Sequence, residues 1–225
     1  MNEWWISINR NATVTRLVIP GWSILPNYFA TLIPNDNLII LSPFISKKDE
    51  LLTYCKQELL GENFQIINRS IEGLVSDNID RLFIFSMGLQ WVNANAPQWF
   101  NKPCDIVSPA VSYDSKELDQ MVSRLKISKS AVLRSFYRRC FHSNDDWLVW
   151  KQQEYKSHVT YNNSEILIEW LDTYGRLKGD ILNKRSISVW IDSEDLIGEK
   201  PVIESSQINI NSHSKGHLML TPLPW

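Results

Sequence analysis

Three short segments of the 225-residue chain combine reactive side chains with the local patterns that could put them to work. The first is Leu82-Phe83-Ile84-Phe85-Ser86-Met87-Gly88, an all-apolar run that ends in a hydroxyl and continues at once into helical spacing. A serine on a tight strand-to-helix bend is lifted off the end of its sheet, and a glycine two residues later lets the bend close. Gly88 fills that place, whereas Ile84 stands where the fuller pattern has a second glycine. The second segment, Val189-Trp190-Ile191-Asp192-Ser193-Glu194-Asp195, puts carboxylates just beyond another apolar run. Asp195 is favoured as the group that orients a histidine, with Asp192 as its rival and Glu194 third. The third is Lys215-Gly216-His217-Leu218, where His217 is the candidate base and His213 the alternative.

The chemistry requires all three groups. A serine hydroxyl is a weak nucleophile until an imidazole takes its proton. The imidazole in turn needs a carboxylate to hold its tautomer and to stabilise the cation that forms. The oxyanion that develops needs two preorganised donors. Pro20-Gly21-Trp22, a glycine turn after the apolar residues 17–19, offers the Trp22 amide, and the Met87 amide follows the nucleophile.

Such groups must be carried by a scaffold. Residues 4–8, 16–19, 37–41, 82–85, 105–107, 186–191 and 207–210 read as strands, and residues 47–60 and 87–99 as helices. From about residue 114 to 179 strand signals give way to amphipathic helices at residues 129–140, 146–154 and 164–177. Strand–helix alternation around a helical insertion predicts one α/β domain over residues 1–225. Its central sheet is mostly parallel with helices on both faces, and a helical cap spans residues 112–180. Ligands of such sheets bind beyond the carboxyl ends of the strands, where the three segments fall.

Composition narrows the class further. Hydrophobic residues make up 44% and charged residues 21%, as in ordinary globular chains, which excludes disordered and collagen-like classes. No apolar run approaches the roughly 18 residues of a membrane span, and residues 1–8 lack the pattern of a signal peptide. Three cysteines without ligand spacing predict free thiols, no metal and a cytoplasmic location. A net charge of −2 does not favour nucleic acid. Yet residues 123–142 hold Arg124, Lys126, Lys129, Arg134, Arg138 and Arg139 with no acid, an island suited to an anionic partner.

The order serine, acid, histidine is that of α/β-hydrolases. Pro20-Gly21-Trp22, Phe85-Ser86-Met87-Gly88, Asp195 and Gly216-His217 together resemble that superfamily. Within it the chain looks most like the compact pimeloyl-[acyl-carrier protein] methyl ester esterases of biotin synthesis, the BioG/BioH type. Phe136-Tyr137-Arg138-Arg139-Cys140 is similar to the basic cap helix of that group. The resemblance implies an α/β-hydrolase fold and a serine carboxylesterase with Ser86, Asp195 and His217 as its triad and no cofactor. It further implies an acidic acyl carrier protein as partner, docked by Arg134, Arg138 and Arg139. Trp22, Phe136 and Phe141 would line the acyl channel, in a monomer that binds neither nucleic acid nor membrane. The alternatives are a general short-chain carboxylesterase or thioesterase, and a non-catalytic hydrolase-like binding module.

Overall fold

The computed structural model describes residues 3–74, 78–181, 187–192, 194–201, 208–213 and 216–219. Eight strands form one sheet: β1 (Glu3–Ile8), β2 (Thr15–Ile19), β3 (Asn37–Leu41), β4 (Phe64–Arg69), β5 (Arg81–Phe85), β6 (Cys104–Val107), β7 (Ile187–Ile191) and β8 (Ile208–Ser212). The helices are α1 (Pro26–Leu32), α2 (Lys48–Glu58), α3 (Gly88–Asn95), α4 (Ser115–Leu125), α5 (Lys129–Arg139), α6 (Asn144–Gln153), α7 (Tyr155–Tyr161) and α8 (Ser164–Trp170). The spatial order is β4-β1-β3-β2-β5-β6-β7-β8. β1 runs antiparallel to both its neighbours, and every other adjacent pair is parallel. The expected mostly parallel sheet is therefore present.

The central strands explain themselves. Leu82, Phe83, Ile84 and Phe85 are all buried, as are the four residues of β6, because helices cover both faces of a parallel sheet. The β2–β5 pair brings Ile19 opposite Ile84. From β2 the chain goes first to β3 on one side and later to β5 on the other. The crevice at the carboxyl ends of β2 and β5 is therefore the switch point where such sheets hold ligands. At the opposite ends of these strands a buried charge cluster closes the sheet. Arg16 lies 2.5 Å from Asp105, and Arg81 lies 3.0 Å from the same carboxylate. Arg16 also pairs with Asp36, so each buried charge of the cluster has two partners.

Two expectations are corrected. The helix read over residues 87–99 ends at Asn95, because Pro97 disfavours helical geometry at Ala96, which has φ −153°. A 3₁₀ turn, Pro97–Asn101, follows. Strand β4 and helix α1 carry no strong periodic signal and are added by the fold. The starts of the last two strands read from the sequence, Ser186 and Gln207, lie outside the described residues, as does Lys215.

Between β6 and β7 the described residues form five successive helices, α4 to α8, and a π-helical turn at Leu171–Gly175 that ends the helix read over residues 164–177. Asp114, Ser128, Ser143 and Asn163 cap α4, α5, α6 and α8 with side-chain oxygens that accept backbone N–H bonds. An aromatic cluster holds the insertion together: Tyr137 lies 4.4 Å from Trp150 between ring centroids, and Phe141 packs on Trp147 and Trp150. No helix among the described residues is long and apolar enough to cross a membrane.

His158 ties this insertion to the sheet side. Its Nε2 accepts from the Leu25 amide at 3.3 Å and its Nδ1 lies 3.1 Å from the Glu154 carbonyl, so the ring is held neutral. Burial pushes its pKa down to about 4, partly offset by the Glu154 carbonyl. Below about pH 6.5 the unfolded chain therefore binds a proton that the folded ring refuses. Stability should fall as pH drops from 6.5 towards 4, by about 2 kcal/mol at pH 5 from this group. Urea unfolding at pH 7 and pH 5 of the wild type and of His158→Gln checks it. The variant should lose that part of the pH dependence, and an unchanged dependence would remove His158 from the account.

Candidate active site

Ser86 follows β5 directly and adopts φ +50°, a left-handed conformation rare for a residue with a side chain. Such backbone costs about 1–3 kcal/mol and is kept only where its surroundings enforce it. They do so here. The Ser86 amide donates to the Val107 carbonyl at 2.9 Å, extending the β5–β6 ladder to the bend. A Cβ on Gly88 would lie 2.7 Å from the carbonyl oxygens of both Ile19 and Pro20, so only glycine lets α3 start this close to the end of β2. A Cβ on Gly21 would stand 2.9 Å from that of Ser86, which places the Gly21-Trp22 turn against the bend. Ile84, where a glycine might have stood, is simply buried in β5.

Among the described residues no group accepts a hydrogen bond from the backbone amides of Trp22 or Met87. Two free donors thus flank Ser86. The Trp22 indole donates to the Leu167 carbonyl at 2.9 Å and meets Phe136 edge to face, so its side chain is a fixed wall.

Asp195 and His217 are both buried, and His217 Nδ1 lies 2.8 Å from Asp195 Oδ2. Burial raises the carboxyl, but the facing His217 and Lys200 outweigh it and hold Asp195 well below the usual carboxylate range. An ionised carboxylate only accepts, so Nδ1 carries the proton and Nε2 is left as the basic nitrogen. Asp192 does different work. Its Oδ2 takes the Gly216 amide at 2.7 Å and faces His142 Nε2 at 2.7 Å, while Oδ1 takes the Glu194 amide at 2.9 Å. Burial raises its pKa, but these donors bring it below the usual value. Asp192 therefore anchors the loop that carries His217 and ties it to the end of α5. Glu194 meets Asp192 through its backbone, and His213 Nδ1 lies 3.8 Å from Asp192. The choice between Asp195 and Asp192 as partner of His217 falls on Asp195. Position 216 needs glycine twice over: its φ is +76°, and a Cβ there would lie 2.5 Å from the Cys140 carbonyl oxygen.

The His217 ring packs against Phe85 with centroids 5.3 Å apart, beside the residue that precedes Ser86. The hydrogen bond of Ser86 itself goes to the Tyr113 hydroxyl, with the oxygens 3.5 Å apart, and none joins Ser86 to His217 among the described residues. Hydrogen bonds in substrate-free sites are often long and tighten when the substrate binds. Tyr113, from the segment after β6, carried no signal in the sequence.

A small cavity opens over Ser86, with Trp22, Met87, Tyr113, Leu118, Phe136 and Arg139 in its lining. A groove between α4 and α5 shares Glu117, Met121, Phe136 and Arg139 with it, so the two adjoin along these residues. Phe136 thus lies where the sequence reading put it, whereas Phe141 does not line the cavity. Phe141 lies beyond the end of α5 and turns into the Trp147–Trp150 cluster. The three arginines also separate. Arg134 is exposed, Arg138 donates to the Phe141 carbonyl at 3.3 Å, and Arg139 faces the cavity in an ion pair with Glu117. The basic island is continuous in sequence, but in space Glu117 of α4 pairs with its Arg139.

Neither protein-family models nor curated protein sequences match this chain. Solved structures do. An esterase from Exiguobacterium antarcticum superposes with a TM-score of 0.66 at 13% identity, covering 96% of this chain and 89% of that one. BioG from Haemophilus influenzae gives a TM-score of 0.55 at 14% identity over 97% and 94% of the two chains. An enol-lactonase from Burkholderia xenovorans gives 0.63 at 11% identity over 96% and 90%. With its parallel sheet, its bend at Ser86 and this likeness in architecture, the chain has the α/β-hydrolase fold.

Proposed function

We propose that this protein is a serine ester hydrolase in which Ser86, His217 and Asp195 form the catalytic relay. The observation that carries the reading is the 2.8 Å contact between Asp195 Oδ2 and His217 Nδ1, which leaves the basic nitrogen of a buried imidazole beside the strand that presents Ser86. In the first step His217 Nε2 takes the Ser86 proton as the oxygen attacks the ester carbonyl. The Trp22 and Met87 amides receive the oxyanion, each contributing about 3–4 kcal/mol to lowering the barrier. Nε2 then gives its proton to the departing alcohol. Water, activated by the same nitrogen, releases the acid and restores Ser86.

The substrate proposed is the methyl ester of a pimeloyl group borne by an acyl carrier protein, giving methanol and the free carboxylate in biotin synthesis. Support comes from the resemblance in motifs, from the largely apolar cavity at Ser86, and from α5, which carries exposed Arg134 and half-buried Arg138 and helps to line that cavity through Phe136 and Arg139. Three free, buried cysteines fit a cytoplasmic enzyme. Changing Arg134 and Arg138 together to Glu should raise KM for the carrier-linked ester about tenfold and leave a small free methyl ester unaffected. Added salt should mimic the change on wild type, since such pairing is screened. Arg139 is kept out of the test because its partner is Glu117 in the cavity wall. Equal loss on both substrates would remove the carrier from the proposal. That result would favour the second reading, a general short-chain carboxylesterase, which the largely apolar cavity also fits.

A further inference from the structure

One charged side chain outside the proposed relay touches it. Lys200 Nζ lies 2.8 Å from Asp195 Oδ2, the same oxygen that His217 Nδ1 reaches at 2.8 Å. The ammonium also donates to the Ile197 carbonyl at 2.8 Å. The segment bearing it is held firmly. The Glu199 amide donates to the Ser112 carbonyl at 2.8 Å, and the Val111 amide donates back to the Glu199 carbonyl at 2.8 Å. Gly198, at φ +71°, makes the turn at a point where a Cβ would lie 2.5 Å from that of Ala110. The cation is therefore a fixed part of the site.

A carboxylate does two things for a histidine base: it fixes the tautomer and it stabilises the imidazolium. A lysine on the same carboxylate oxygen leaves the first intact and opposes the second, because a nearby like charge disfavours the protonated ring. We infer that Lys200 is a positioning residue that shares the Asp195 oxygen with His217 and, through it, opposes the positive charge the imidazole gains on taking the Ser86 proton. The inference rests on the reading of His217 as the base.

The other ionisable groups around the pair are Tyr113 from the segment after β6, Cys140 and Arg139 from the end of α5, and the Asp192–His142 pair behind Gly216. Burial pushes the Tyr113 hydroxyl and the Cys140 thiol up, so both stay neutral over the working range. Arg139 is paired with Glu117, and Asp192 with His142. Lys200 partly offsets the rise at Cys140, so losing it pushes that thiol further up and leaves it neutral, and the contacts of Arg139 and Asp192 do not involve the lysine.

The test is an NMR titration of the His217 ring in histidine-labelled protein, its signal assigned with His217→Gln, beside the pH profile of kcat/KM on a small ester. Lys200→Met should move the ring titration and the acid limb of the profile together to higher pH. The variant is then severalfold slower than wild type on the acid side, while Lys200→Arg keeps the wild-type profile. Lys200→Gln, which retains a hydrogen-bond donor, should shift in the same direction as Lys200→Met and serves if that variant folds poorly. An unmoved ring pKa in the neutral variants, with Ser86 still reactive towards a fluorophosphonate, overturns the role of Lys200 and leaves the hydrolase reading standing. A ring that shifts while the acid limb does not confirms the tuning and instead removes His217 as the base.

Discussion

Replacing Ser86 with alanine is expected to reduce esterase activity by about 10⁴-fold or more, because the proposed acyl-enzyme forms on its Oγ. The fold should survive. Alanine keeps the Cβ that faces Gly21, and the main constraints on the bend are backbone ones, the Ser86 amide to Val107 and the closeness of Gly88 to Ile19 and Pro20. The Oγ makes one long hydrogen bond, to Tyr113, so its removal costs little stability. The prediction is checked by steady-state rates together with thermal unfolding. A melting temperature near that of the wild type with activity gone places the loss in the chemistry. Activity within tenfold of the wild type would mean that another residue attacks.

The second large effect separates the two carboxylates. Asp195→Asn should lower kcat by about 10⁴-fold, since an amide that donates to Nδ1 imposes the wrong tautomer and leaves Nε2 protonated. Asp192→Asn should act differently. Asp192 accepts the Gly216 and Glu194 amides and faces His142, so its loss loosens the His217 loop and shows mainly as lower thermal stability with a smaller loss of rate. Rates and melting temperatures of the two variants decide it. The reverse ranking, with Asp192→Asn the more inactive, would transfer the role to Asp192.

Much of this arrangement is legible in the sequence because local and global signals coincide. An apolar run such as residues 82–85 has few alternatives to a central strand, and Ser86-Met87-Gly88 marks its end. Gly216-His217 and the acids after β7 are readable for the same reason. Contacts set by tertiary packing are not. β4 alternates poorly and is half exposed, and only its pairing with β1, across some sixty residues of chain, makes it a strand. The aromatic residues of the insertion show no order in sequence. Which of them line the cavity depends on where α5 ends, and that sends Phe136 one way and Phe141 another. Tyr113 and Lys200 are ordinary residues in loops until the fold sets them against Ser86 and Asp195. The run of six basic residues suggested one face, but α5 turns Arg134 and Arg139 to different surroundings.

The central claim is that Ser86 is a hydroxyl made nucleophilic by His217. Treatment of the intact protein with a fluorophosphonate, followed by peptide mass spectrometry, tests it most directly. The account predicts one covalent adduct, on Ser86, formed quickly in the wild type and at least about a hundredfold more slowly in His217→Gln. Wild-type protein that stays unlabelled at Ser86, or a His217→Gln variant that labels at the wild-type rate, would contradict it.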